Sequence, residues 1–285
     1  MKTILIIFII WGQLIYSQNS SDYSLEKVAD GFNFIEGPVL KDGKILFSDI
    51  PENTIFQFEA EKGVTEYYKP SGNSNGLAIN SEGELIMAQH GKRRVAKISK
   101  AGNEMPLAEK YNGKLLNSPN DMTIHSDGSI FFTDPPYGIN SEQEELGFYG
   151  IYKLTPSGDL YLLDKSLNRP NGIALSPNES KLYVSDSKAQ KIFVWDVIDD
   201  KTIGNKSLLI EMEGNGSADG FKVNKSGTIY ATGPKGIWVI NEDGSVKTII
   251  KVPGQNTNCN WGNSEQTILF VTSAKALYKI TKLKD

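Results

Sequence analysis

One pattern recurs along this chain: a polar residue, a short apolar run, a tight turn, a second apolar run and a closing polar residue. Its fullest copy runs from Asn171 to Asp186, NGIALSPNESKLYVSD. Other copies start at Glu36 (EGPVLKDGKILFSD), Asn75 (NGLAINSEGELIMAQ), Asn120 (NDMTIHSDGSIFFTD), Asp219 (DGFKVNKSGTIYATG) and Asn258 (NCNWGNSEQTILFVTS). Successive starts are 39, 45, 51, 48 and 39 residues apart. A repeat of roughly 40–50 residues carrying several short strands marks a propeller blade, a unit that cannot bury its own faces and must stack in a closed ring. Six starts therefore predict an all-β fold, a six-bladed β-propeller.

Turn chemistry sets the strand count. A first hairpin reverses at Asp42-Gly43, Glu82-Gly83, Asp127-Gly128, Pro177-Asn178, Ser226-Gly227 and Ser264-Glu265, mostly the Gly, Asn and Asp types that tight reversals need. A second follows at Lys62-Gly63, Ala101-Gly102, Pro156-Ser157-Gly158 and Glu242-Asp243-Gly244. Two hairpins per repeat predict four-stranded antiparallel blades. The last copy leaves room for only about three strands before the chain ends, while the strand-length segment from Tyr23 to Phe34 is unassigned. It is expected to supply the outer strand of the last blade, closing the ring and removing exposed sheet edges. No amphipathic helix is expected after the N-terminal segment.

That N-terminal segment has a different composition. Met1-Lys2 leads into TILIIFIIWGQLIYS, an apolar run of signal-peptide length and short of the ~20 residues that span a bilayer. Residues 1–20 are expected to be a cleaved signal peptide, with an uncleaved anchor as the alternative, and 21–285 a single propeller domain. Cleavage would leave no membrane span and a secreted or periplasmic protein. Cys259 is the only cysteine, which excludes an internal disulfide, and a small buried hydrophobe is its expected role. A net charge of −4 with interspersed signs lacks the basic stripe that nucleic acid calls for. Nothing here sets an oligomeric state.

Propeller geometry turns the repeat into a candidate site. If each lead residue opens an innermost strand, Glu36, Asn75, Asn120, Asn171, Asp219 and Asn258 ring one mouth of the central channel. The ends of the second strands, Asp49, Gln89, Asp134, Asp186, Gly233 and Ser273, return to the same mouth. Such residues also serve as turn formers that hydrogen-bond their own loops. Two carboxylates facing one channel, Glu36 and Asp219, repel each other unless a cation lies between them. With Asn120 and Asn171 they offer only carboxylate and amide oxygens, hard donors suited to Ca²⁺ or Mg²⁺. Ca²⁺ is expected first, with Mg²⁺, Mn²⁺ or Zn²⁺ as substitutes.

The ordered set EGPVL, AQHGKRRV, SPNDM, FTDPPYG, RPNGIALSPNESKLYVSD, ADGFKVN and NCNWGNSEQTILFVTS resembles the gluconolactonase, or SMP-30/regucalcin-like, family over nearly all of the chain after the N-terminal segment. The resemblance implies a six-bladed propeller with a divalent cation in its channel, hydrolysing sugar lactones. The family's metal ligands fall on Glu36, Asn171 and Asp219, and its ND motif on Asn120 and Asp121, near metal and substrate. Leu40 stands where a Trp is frequent and Ala218 where a Pro is, and neither departure removes a donor.

On this resemblance Asp219 is the expected general base toward water, with Asn120 and Asp121 on the substrate side, and His90, which follows the blade-two strand end, is expected to hydrogen-bond a sugar hydroxyl or the opening ring oxygen. The connection after Asp134, PPYGINSEQEELGFYG, is expected at the same mouth as a mobile rim or lid. A small sugar lactone is the expected partner. Two other classes fit the fold: a non-catalytic propeller that binds a sugar or protein, and a related propeller enzyme acting on phosphotriesters or other esters, or of the strictosidine-synthase type. The four retained donors count against the first and against the last.

Overall fold

A computed structural model describes residues 23–199 and 201–282. The expected signal segment, residues 1–20, lies outside them. The described residues form six four-stranded antiparallel sheets, the expected six-bladed propeller. The innermost strands are Ile35–Lys41, Ser74–Ile79, Met122–Ile124, Pro170–Leu175, Phe221–Val223 and Asn258–Trp261, of blades 1 to 6 in that order. Each contacts its counterpart in both neighbouring blades, so the six close a ring around the channel. The second strands end at Asp49, Gln89, Asp134, Asp186, Gly233 and Ser273, where the sequence pattern closes.

The ring is joined as expected. Tyr23–Asp30 pairs antiparallel with Ala276–Lys282, from Tyr23 opposite Lys282 to Asp30 opposite Ala276. It is the outer strand of blade 6, whose other three strands come from the far end of the chain.

The core explains the composition of the strands. Six apolar clusters lie one at each interface between consecutive blades. Phe131 and Ile151 of blade 3, for example, pack on Ile173, Leu182, Val184 and Trp195 of blade 4. Phe47 and Phe58 of blade 1 meet Phe270 and Leu277 of blade 6 across the closure. An inner strand is covered on both faces and so reads as a continuous apolar run, as in Leu85–Gln89 and Ile130–Asp134, buried throughout. The outermost Tyr23–Asp30 is largely exposed and polar.

Two small elements were not expected. A ribbon, Lys110–Tyr111 against Lys114–Leu115, sits in the connection between blades 2 and 3. Its turn residues, Asn112 and Gly113, both have positive φ, the conformation an Asn-Gly type I′ turn adopts. A 3-10 turn, Ser141–Gln143, capped by Asn140, is the one helical element among the described residues.

Close approach of the inner strands is testable at Gly172. A methyl group there would stand 2.4 Å from the Asp219 carbonyl oxygen and 2.8 Å from the Gly220 Cα, both backbone atoms of the next blade. Gly172→Ala should lower unfolding free energy by about 1–3 kcal/mol through overpacking. Urea denaturation measures it, and a variant as stable as the parent would mean that blades 4 and 5 do not meet there.

Candidate active site

Three features aim the lead side chains into the channel. In blades 1, 2 and 4, pairing between first and second strands slips between Glu36 and Val39, Ser74 and Leu77, and Pro170 and Ile173. Such bulges re-aim the residues within them. The residue after the lead is glycine in four blades, and a Cβ at Gly37, Gly76, Gly172 or Gly220 would fall 2.1–2.6 Å from an atom of the following blade. Finally, a hydroxyl near the end of the second strand donates to the next blade's lead carbonyl: Ser48 to Asn75 (2.8 Å), Thr133 to Asn171 (2.6 Å) and Ser185 to Asp219 (2.9 Å). In blades 2, 4 and 5 the lead backbone is thus pinned from behind.

The strand-end residues behave differently from the expected second ring. Asp49 accepts the Asn33 and Phe34 amides, Asp134 the Asn117 amide, and Asp186 the Asn168 and Arg169 amides. Side chains alternate along a strand, so the hydroxyl one position earlier faces the ring while the carboxylate turns to the segment entering its own blade. These amides have no partner in a sheet, and the carboxylates supply one.

At the mouth, Glu36, Asn120, Asn171 and Asp219 are 3, 3, 4 and 8% exposed, so Asp219 is the most open of the four. Glu36 Oε2 accepts the Gly37 amide at 2.9 Å. Burial, then the charge of Asp121, pushes the Glu36 carboxyl up to about 8, with Asn258 and Lys222 partly offsetting. Burial, then Glu36 and Asp121, holds the Asp219 carboxyl well above the usual carboxylate range, with the Asn171 side chain and Gly220 amide partly offsetting. Asn171 Oδ1 and Asp219 Oδ1 are buried without a hydrogen-bond partner. Among the described residues no group of three or more His, Cys, Asp or Glu side chains is arranged to hold a metal. A cation here therefore depends on the amide oxygens as well. The chemistry fits: oxygen donors only, two of them partnerless, and carboxylates whose mutual repulsion a positive charge would relieve.

Asp121 occupies the position that glycine holds in four other blades, and its side chain reaches across the axis. Asn258 Nδ2, from the diametrically opposite blade, donates to Asp121 Oδ2 at 3.2 Å. Lys222 Nζ of blade 5 lies 3.7 Å from the same oxygen. Asp121 is thus placed on the channel axis, only 2% exposed. Cys259 beside it is buried, its thiol pushed up to about 12 by desolvation, and it donates to the Tyr230 carbonyl.

His90 is also enclosed. Its Nε2 lies 3.2 Å from Asn75 Nδ2, and burial lowers the imidazole to about 4, so the ring is neutral and accepts from the amide. Asn75 Oδ1, in turn, is buried without a partner. Asn75 thus stands between His90 and the ring of donors. Gly138, from the connection after Asp134, packs on His90, where a Cβ would be 2.7 Å from the His90 Cβ.

That connection, residues 135–149, spans three blades. It is tied to blade 3 through the Ser118 hydroxyl, which donates to the Pro135 carbonyl and accepts the Gly138 amide. It leans on blade 4 through the Tyr137–Ser187 hydroxyl pair and the Arg169 guanidinium over the Tyr149 ring, 4.9 Å from its centroid. The Tyr137 hydroxyl also neighbours Asn171 and feels the charge of Asp219. Sequence reasoning passed over Tyr137, Lys222 and the strand-end hydroxyls. The recurring FSD, FTD and VSD triplets carried the signal for the last.

A family model described as SMP-30/Gluconolactonase/LRE-like region matches residues 34–275. The gluconolactonase of Zymomonas mobilis subsp. mobilis is 33% identical over 287 residues, covering 90% of this chain and 80% of that protein. Diisopropyl-fluorophosphatase of Loligo vulgaris is 27% identical over 277 residues, covering 86% of this chain and 87% of that one. Among solved structures, a gluconolactonase from Xanthomonas campestris superposes with a TM-score of 0.86 at 28% identity, covering 92% of this chain and 90% of that one.

Enclosure of His90 has a measurable cost in acid. Its imidazole sits at about 4 in the folded chain against an ordinary value of 6.5, so the unfolded chain binds the proton more readily and stability falls as pH drops from about 6.5 toward 4. His90→Gln should remove about 2 kcal/mol of the stability lost between pH 7 and pH 4.5. Urea unfolding of both proteins at the two pH values reads the difference, and an equal acid loss in each would place His90 in open solvent.

Proposed function

The chain belongs to the SMP-30/gluconolactonase/LRE-like family, and from that membership we propose that it hydrolyses a sugar lactone to the open aldonate, assisted by one divalent cation, calcium first. The observation that carries this is the meeting of Glu36 and Asp219 with the partnerless oxygens of Asn171 and Asp219 at one channel mouth. Glu36, Asn171 and Asp219 would hold the cation, with Asn120 beside them. Likeness to the Zymomonas and Xanthomonas gluconolactonases supports the lactone as substrate class.

Bound there, the cation would supply Lewis-acid stabilisation for charge growing on the lactone carbonyl oxygen. The remaining work falls to the chain. Asp219, the most open of the four donors, takes a proton from the attacking water as the water oxygen bonds to the acyl carbon. The ring C–O bond then breaks, Asp219 returns that proton to the departing ring oxygen, and a hydroxy acid leaves. Asn120 orients the substrate from blade 3. Asn75, held by neutral His90, offers its free Oδ1 to a sugar hydroxyl. The segment around Tyr137 forms the rim and restricts water. The apolar run at residues 3–17 supports action outside the cytoplasm.

The test is hydrolysis of D-glucono-1,5-lactone, followed by proton release, on metal-stripped protein with and without added Ca²⁺. Turnover restored by the metal is expected. Absence of turnover with any divalent cation, despite a bound ion, would sink the lactonase reading, and a dialkyl fluorophosphate run in parallel would detect chemistry of the kind the Loligo vulgaris enzyme is named for.

Two variants locate the parts. Asp219→Asn should keep the fold and lose roughly 100-fold or more in kcat. Glu36→Gln should raise the Ca²⁺ half-saturation concentration by roughly tenfold or more. An unchanged kcat in the first would remove Asp219 from proton transfer, and an unchanged titration in the second would move the ligands elsewhere.

A further inference from the structure

Resting on the cation-binding reading of the mouth, we propose that Lys222 is a built-in cation that sets the charge of the channel site to match a single divalent ion. Three carboxylates converge inside the ring, Glu36 from blade 1, Asp121 from blade 3 and Asp219 from blade 5, each more than nine-tenths buried. The ammonium group that reaches them belongs to Lys222 on the inner strand Phe221–Val223. It is held in place, with Nζ 3.7 Å from Asp121 Oδ2 and donating to the Phe221 carbonyl at 3.1 Å. Its side chain is only 18% exposed, and its charge is felt at Glu36 as well as Asp121.

With a cation bound and all three carboxylates ionised, three anions offset by one ammonium leave two negative charges, the complement of one divalent ion. Asn258, donating to the same Asp121 oxygen from the opposite blade, fixes the carboxylate that Lys222 pairs with. Lys222 and Asp121 together therefore tune the site without taking part in the chemistry. Their removal in turn should change which ionic charge the site prefers. Removing Lys222 alone leaves three negative charges, suited to a trivalent ion. Removing Asp121 alone leaves one. Removing both restores two.

The test compares Tb³⁺ and Ca²⁺ binding by calorimetry at pH 8 in the parent, Lys222→Met, Lys222→Arg, Asp121→Asn and the Lys222→Met/Asp121→Asn double variant, each first shown to unfold cooperatively. Lys222→Met should raise the Tb³⁺-over-Ca²⁺ preference by about tenfold or more, as expected for one unit charge in a partly buried site. Asp121→Asn should lower it by a similar factor. Lys222→Arg and the double variant should return it to within about threefold of the parent. The double variant keeps the question answerable if Lys222→Met fails to fold, because a charge role requires its recovery and a packing role does not. A folded Lys222→Met protein with the parent's preference, or a double variant that departs from it as far as the single ones, overturns the proposal. A parent protein that binds neither ion overturns the cation site itself along with it.

Discussion

The structure depends on the contact of one inner strand's backbone with the next around the channel. Hydrogen bonds cross all six interfaces and close that circle. Hydroxyls serve most of them: Ser48 to Asn75, Thr133 to Asn171, Ser185 to Asp219, and Thr257 to Ile35 across the closure at 2.8 Å. Blade 2 has Ala88 where a hydroxyl would stand, and there the Gly76 amide donates to the Asn120 carbonyl instead. Between blades 5 and 6 the Gly220 amide and, at 3.2 Å, the Thr232 hydroxyl both donate to the Thr257 carbonyl. Each bond contributes only about 0.5–1.5 kcal/mol net, whereas a buried carbonyl left unpaired costs about 1–3 kcal/mol. The ties therefore act mainly by excluding misplaced inner strands. Glycine at the crossing points allows the backbones to come close enough to make them.

Much of this is legible in the amino-acid sequence because it repeats. A period of 39 to 51 residues, two turns per period and an unassigned strand at Tyr23 leave few ways to build the sheets, and blade number, strand ends and closure all follow. What the repeat does not reveal is local. Asp49, Asp134 and Asp186 share the mouth's end of their strands with the ring, yet they face away from it, because backbone amides of the entering segments claim them. A strand position says which end a side chain is at, and only the neighbouring backbone decides which way it is used.

The site is legible to the same depth. Glu36, Asn120, Asn171 and Asp219 occupy equivalent places in four blades, and repeat alignment finds such a set. Tyr137 and Lys222 have no counterparts in the repeat. Tyr137 comes from an inserted connection and reaches the mouth only because that connection folds back over blades 2 to 4. Lys222 matters because of a carboxylate two blades away, a neighbour that no linear spacing reveals. His90 is visible as a histidine near the mouth, but its neutrality comes from being covered by Gly138.

Symmetry thus supplies positions, and departures from symmetry supply chemistry. A ring bearing amides at all six lead positions would satisfy the same backbone ties and carry no charge. Placing carboxylates in blades 1 and 5, and a third where glycine is the rule, puts anions where desolvation opposes them and raises two of their carboxyls. Isolated, that arrangement would destabilise the centre of the molecule. The six interblade cores and the closed circle of ties lie outside the channel and do not depend on it, so the fold tolerates the unfavourable charge. The same rigidity stops the carboxylates from moving apart to relieve it. Repulsion that cannot relax by motion leaves protonation or a positive charge as the ways out, and Lys222 supplies only one such charge against three.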